Sequence, residues 1–373
     1  MECSPLTVAK QKIRVGSPLP FNIRDSDGTL LLARGQIIAT EEQLNTLMER
    51  GAQVDTEELK ALRSEAIDAP VERLPGLWNE SVDRVGRTLK SSIASDFQQS
   101  LEETARPILA LVERDPDLAI FQVLRQEVAG KQHYGVSHSV HTAIACYLVA
   151  QRLGWEHEKK MCVFKAALTM NLSMLELQAR LSTQVTAPTQ LQRDAINEHP
   201  IRSREMLETS GVTDKAWLDA VAQHHEIPGG TGYPNKLKEV SDIADLLRRI
   251  DIYTAKLAGR ISRSALPANE AGRSIFLADQ GHPMASAIIK EFGVYPPGCF
   301  VKLASGEAGV VVKRGAAANA PLVAALTNRD GNALLEPVRR NTSVKEYAIV
   351  SIISEKSIKV RVSPEKLVVL ASN

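Results

Sequence analysis

The sequence predicts a mainly α protein with smaller β parts: a helical bundle flanked by an N-terminal small α/β unit and a C-terminal small β-barrel. Three observations predict it. From Trp78 to about Val294, apolar residues recur at helical spacing almost without a strand candidate, as in Leu101, Ala105, Ile108, Leu109 and Val112. Ahead of that body, two short apolar runs flank a turn. Behind it, the character changes at Tyr295-Pro-Pro-Gly298 to β-branched runs separated by glycine turns.

Leu19–Arg24 and Thr29–Ala33 are strand candidates joined by Asp25-Ser26-Asp27-Gly28, whose Asp-Gly step tolerates positive φ, so a hairpin is expected. Thr40-Glu-Glu-Gln43 matches a capping box, followed by Leu44, Leu47 and Met48 at helical spacing and Gly51 as a stop. Residues 52–75, Glu-rich with Pro70 and Pro75, are expected to be a connector. At the other end Phe300–Leu303, Gly309–Lys313 and Ile358–Val362 are strand candidates, with Ser305-Gly306 and Asp330-Gly331 as turns. The expected division is an α/β unit over 1–60, a connector and helices over 61–130, a helical domain over 131–292 and a barrel-like domain over 293–373.

A length of 373 residues suits two or three domains, and 44% hydrophobic with 24% charged residues excludes a disordered tail or a fibre. Lys+Arg 45 against Asp+Glu 44 leaves a net charge of +1, which removes the broad positive field that a nucleic-acid polymer partner requires. Cys3, Cys146, Cys162 and Cys299 form no CxxC pair, and no apolar run reaches the length of a membrane span, about 20 residues. These features predict a cytoplasmic protein without a membrane span.

The chemistry concentrates in His224-His225-Glu226-Ile-Pro-Gly229-Gly230-Thr-Gly232-Tyr233-Pro234: two imidazoles and a carboxylate at a helix end, then a glycine-rich turn able to wrap an anion. His138 in Tyr134-Gly-Val-Ser-His-Ser139, His199-Pro200 in Asn197-Glu-His-Pro-Ile201 and Asp251 in Arg249-Ile-Asp-Ile-Tyr253 surround it in fixed order, with Arg260 and Arg263 beyond.

Over about residues 130–292 this pattern resembles the HD-GYP subgroup of the HD phosphohydrolase superfamily. The resemblance implies a helical HD-domain bundle and hydrolysis of cyclic di-GMP at two or three metals, usually iron or manganese. It implies metal ligands at His138, His199, His224, His225 and Asp251, together with a His-Asp doublet. At the doublet the sequence departs. The family's His-Asp-x-Gly-Lys aligns with Met170-Asn171-Leu172-Ser173-Met174; the Asp of its HHExxDGxGYP is Gly229, an Arg ahead of the last ligand is Asp245, and the Tyr of its Arg-Pro-Tyr is Ser262.

A bridging carboxylate neutralises two cations, whereas an Asn amide is neutral and a thioether is a poor ligand for such metals. The expectation is therefore a degenerate, regulatory or partner-binding member. No cofactor is firmly expected, and at most one weakly bound Fe or Mn ion. Arg260 and Arg263 are the candidate phosphate-binding residues, with cyclic di-GMP binding weak or absent, and Asp245 would repel a phosphate if it faced the pocket. Gly230, Gly232, Tyr233 and Pro234 are the candidate surface for a protein partner such as a diguanylate cyclase. The alternative is an active metal-dependent cyclic di-GMP phosphodiesterase with substitute ligands such as His141 or Glu176. His141 otherwise reads as a polar residue on the His138 helix face, His133, His157 and His282 as surface or loop residues, and Arg248 and Arg249 as a solvated helix face.

Overall fold

The computed structural model describes residues 3–10, 13, 15–16, 19–55, 66–94, 96–125, 133–259, 265–279, 281–358, 360 and 363–372. The N-terminal unit holds β1 (Cys3–Pro5), α1 (Leu6–Ala9), β2 (Ile23–Arg24), β3 (Leu30–Leu32), α2 (Glu41–Glu49) and β4 (Gln53–Asp55), with an antiparallel sheet in the order β1-β4-β2-β3. Leu6, Phe21, Ile23, Ile38, Leu44 and Val54 form its core. The hairpin forms with strands shorter than expected, Arg24 pairing with Leu30. At the start of α2 the Thr40 hydroxyl accepts the Gln43 N–H at 3.1 Å, while the Gln43 side chain reaches back to the Ala39 N–H at 3.0 Å, one residue beyond a standard capping box. Within the expected connector, Gln53–Asp55 is instead a strand paired on both sides.

The helical body comprises α3 (Leu74–Lys90), α4 (Phe97–Arg114), α5 (Pro116–Leu124), α6 (Tyr134–Arg152), α7 (His157–Thr169), α8 (Leu175–Thr183), α9 (Gln190–Thr209), α10 (Lys215–Gln223), α11 (Asp242–Leu257), α12 (Ala268–Ala278) and α13 (Pro283–Phe292). Among the described residues it contains no strand. Helix α6 is buried on nearly every side from Gly135 to Ala150 and packs against α3, α5, α7, α8, α11 and α13, which makes it the axis of the bundle. No helix among the described residues is long and apolar enough to cross a membrane.

Strands β5 (Phe300–Leu303), β6 (Ala308–Lys313), β7 (Leu322–Thr327), β8 (Ala333–Asn341) and β9 (Ile349–Ile352) form one antiparallel sheet in the order β8-β7-β6-β5-β9, followed by α14 (Pro364–Ser372). The expected barrel is thus an open sheet, because helices rather than sheet closure cover its apolar face. Phe121 of α5 and Leu367 of α14 pack with Val310, Val312, Ala324 and Leu326. Pro337, which has no N–H to donate, sits in the edge strand β8. The strand expected over 358–362 is not found at Ile358 or Val360, and its other residues lie outside the described residues; the strand beside β5 is β9. Arg314 ties the sheet to the helices, pairing with Asp117 of α5 and with the Glu291 carboxylate of α13 at 2.9 Å.

Candidate metal centre

His138 lies in the second turn of α6, stacked on Tyr134. Its Nε2 donates to Asp251 Oδ1 of α11 at 2.7 Å, and one turn on the Thr142 and Thr254 hydroxyls meet at 2.8 Å, so two polar pairs fix the register of these helices. Burial is the largest single effect on the Asp251 carboxylate and raises its pKa, yet the His138 hydrogen bond and the electrostatic effect of His138, His225 and His224 together outweigh it and hold the carboxyl below the usual range.

His199 comes from α9, and His224 and His225 from the end of α10. One ligand atom from each of the three lies within 4.8 Å of the others. The His199 Nδ1 is 2.5 Å from the Ile196 carbonyl and the His224 Nδ1 is 2.7 Å from the Val221 carbonyl. Carbonyls only accept, so both Nδ1 atoms carry the hydrogen, a tautomer assigned from these partners. The two Nε2 atoms then present bare lone pairs 3.1 Å apart. Burial pushes the His199 imidazole down to about 3 and depresses His224 and His225 as well, so no proton is available to share at neutral pH. Facing imidazole lone pairs, their rings held by the Ile196 and Val221 carbonyls, suit a cation of the zinc, iron or manganese type.

The signature loop closes over this cluster. The fully buried Glu226 carboxylate accepts the Asn235 N–H at 2.6 Å and the Leu237 N–H at 3.0 Å. Tyr233 stacks on His225 with ring centroids 4.5 Å apart, and its N–H donates to the His225 carbonyl. Gly232 permits the return: a Cβ there would sit 2.4 Å from the Ile227 nitrogen. Gly230, at positive φ, lies beside the Lys236 carbonyl, and Pro234 lines a surface cleft of about 860 Å³ with Leu172, Ser173 and Glu198.

The sequence reading of Arg248 and Arg249 as a solvated face is overturned. They are 9% and 5% exposed and share a network with Asp245 and Asp279: Arg249 pairs with Asp245 and lies 2.7 Å from Asp279, while Arg248 lies 3.3 Å from Asp245. Their charges face α12 across the bundle, which spacing along α11 alone does not reveal. Asp245 is engaged by two guanidinium groups. His141 is buried beside His138, whereas Glu176 stands at the surface against His133 and Lys90. His157 is exposed, and His282 accepts the Met284 N–H at the start of α13. Arg260, Ser262 and Arg263 lie outside the described residues.

Residues 122–280 match the family model for the HD domain. The chain is similar to the cyclic di-GMP phosphodiesterase PA4108 of Pseudomonas aeruginosa, 25% identical over 237 residues, covering 62% of this chain and 54% of that protein. It is also similar to the cyclic di-GMP phosphodiesterase PdeB of Borreliella burgdorferi, 26% identical over 125 residues and 33% of each chain. The chain therefore spans about half the length of one curated relative and a third of the other. In fold it is similar to Bd1817, an HDG"Y"P protein from Bdellovibrio bacteriovorus, with a TM-score of 0.51 at 17% identity over 78% of this chain and 97% of that one. Residues 122–280 thus carry an HD domain, in a chain similar to cyclic di-GMP phosphodiesterases.

Within the HD domain, Met170 and Asn171, which the sequence resemblance set against the doublet, are buried, at 0% and 2% exposure. Ser173, which the resemblance set against the family's glycine, bonds the Ser203 hydroxyl at 3.0 Å and the His199 carbonyl at 3.1 Å, tying the turn to α9. Sequence reasoning missed the Glu226 anchor and the Asp245–Asp279 network. The first was visible as a carboxylate ahead of a glycine-rich turn; the second needs the packing of α11 on α12.

Proposed function

We propose that this protein is an HD-GYP family member and a regulatory, non-hydrolytic component of cyclic di-GMP signalling, acting by binding a partner. One observation supports the reading above others: at the doublet position the chain buries Met170 and Asn171, while the Asp251 carboxylate is bonded to His138. Three neutral imidazoles remain, enough for one Fe or Mn ion. With no bridging carboxylate, a second cation is not neutralised, and the paired-metal activation of water fails. Such an ion, where bound at His199, His224 and His225, supplies Lewis acidity. Met174, aligned with the family's phosphate-facing lysine, supplies no charge, so cyclic di-GMP binding is weak or absent.

The Gly230–Pro234 turn is the surface proposed for a protein partner such as a diguanylate cyclase. Metal analysis of protein purified without chelator should find at most one ion per chain. With Fe²⁺ or Mn²⁺ supplied anaerobically, cyclic di-GMP should not be linearised above a metal-only blank. Turnover that disappears on substitution of His224 and His225 would instead establish a working phosphodiesterase.

A further inference from the structure

Helix α9 runs unbroken from Gln190 to Thr209 with Pro200 inside it. In a regular helix the N–H of residue 200 donates to the carbonyl of Ile196; a proline has none to give. That carbonyl is the one the His199 Nδ1–H bonds at 2.5 Å. We propose that Pro200 is a positioning residue for the candidate metal: by withholding a backbone donor from Ile196, it leaves an acceptor that locks His199 with Nδ1 protonated and turns its Nε2 lone pair toward His224.

The His224 ring shows the same outcome reached by another route. Its Nδ1–H bonds the Val221 carbonyl, and Val221 lies in the last turn of α10, where carbonyls lack intrahelical donors. A mid-helix proline and a helix end thus each supply an unclaimed carbonyl, and the two locked rings face one another at 3.1 Å. The pairing is economical in sequence terms, since the ligand and the residue that frees its anchor are neighbours. The inference rests on the reading that the imidazoles hold a cation, but the tautomer lock is a property of the chain alone.

Two variants separate the missing donor from the bend that proline imposes. Pro200→Ala restores the N–H, while a backbone ester at position 200, lactic acid in place of alanine, carries neither N–H nor ring. Cobalt(II) is the probe, followed by its visible d–d bands, with ¹⁵N imidazole shifts reporting the His199 tautomer in metal-free protein. Pro200→Ala should weaken Co²⁺ binding about 10- to 100-fold, leave the metal-free melting temperature equal or higher, and release His199 to a mixture of tautomers. The ester variant should return both readouts toward wild type. An unchanged His199 tautomer in Pro200→Ala overturns the inference whether or not cobalt binds, and so does an ester variant as impaired as the alanine one. Failure of the wild type to bind Co²⁺, with the tautomer lock intact and lost in Pro200→Ala, overturns the metal reading while sustaining the lock.

Discussion

Two buried carboxylates show how much a single side chain settles here. Glu226 fastens the signature loop through two backbone N–H groups and makes no ion pair among the described residues. In Glu226→Gln the amide NH₂ turns toward one of those donors, so one N–H loses its acceptor inside the protein at a cost of about 1–3 kcal/mol. Denaturant unfolding should register that loss, and hydrogen exchange should show deprotection concentrated in residues 227–238; a loop as protected as in wild type would contradict the anchoring role. Glu307 is held differently, its carboxylate gripped by both arms of the Arg340 guanidinium at 2.7 and 3.0 Å. That bond outweighs burial and lowers the Glu307 pKa below its ordinary value. A lowered folded pKa means stability that is present above the unfolded value, about 4.5, and lost as pH falls through the folded one. Glu307→Gln should therefore be less stable at neutral pH and should show a shallower loss of stability below about pH 4.5, measured as melting temperature against pH. The sequence announced neither role: Glu307 and Arg340 are 33 positions apart. It did pick out His199, His224 and His225, which the fold brings together, because residue type and order are local signals, whereas Arg248 and Arg249 were misread because their partner Asp279, just past α12, is 30 positions from Arg249.

Among elements, legibility follows length. Long helices carry enough apolar repeats to be read, and the helical body emerged from its period alone, whereas the nine-residue α14 went unread inside the stretch expected to be a barrel. Strands of two or three residues, such as Ile23–Arg24 and Gln53–Asp55, cannot show alternation, so β4 passed for a connector. Of the C-terminal strands only β5 and β6 were visible as β-branched runs, while β7, β8 and β9 were not picked out; whether the sheet closes into a barrel depends on what covers its face, and the covering residues Phe121 and Leu367 lie in helices. Capping signals are local and survive translation into structure. Thr189 opens α9 with a full reciprocal box, its hydroxyl bonding the Gln192 N–H and the Gln192 side chain returning to the Thr189 N–H. Thr189→Ala should cost about 1 kcal/mol, and exchange should speed up in the first turn of α9 before it does so around His199. A variant of wild-type stability with an unfrayed first turn would show that packing, not the box, holds this helix start.

Taken whole, the molecule joins its sheet to its helices through charge as well as apolar contact. Arg314 bonds Asp117 and Glu291, and Glu291 is in turn bonded by Arg152 of α6. Removing the central cation strands the Asp117 carboxylate and leaves Glu291 to Arg152 alone; because Arg314 is itself 29% exposed, the cost should fall to about 1–3 kcal/mol rather than the 3–5 of a fully buried pair. Arg314→Met should lower the melting temperature and split the calorimetric transition, the sheet unfolding ahead of the bundle. A single undivided transition would mean that the apolar seam alone couples them.

That seam also sets an order of events during synthesis. Helix α5, at Pro116–Leu124, offers Phe121 to partners that come from β6, β7 and α14, the last of these at Pro364–Ser372. At a translation rate of about 5–20 residues per second, Phe121 leaves the ribosome tens of seconds before Leu367 is made. Until β6, β7 and finally α14 follow, an aromatic side chain and its apolar neighbours face solvent, so the nascent chain carries a sticky patch that a holding chaperone can occupy until those elements displace it.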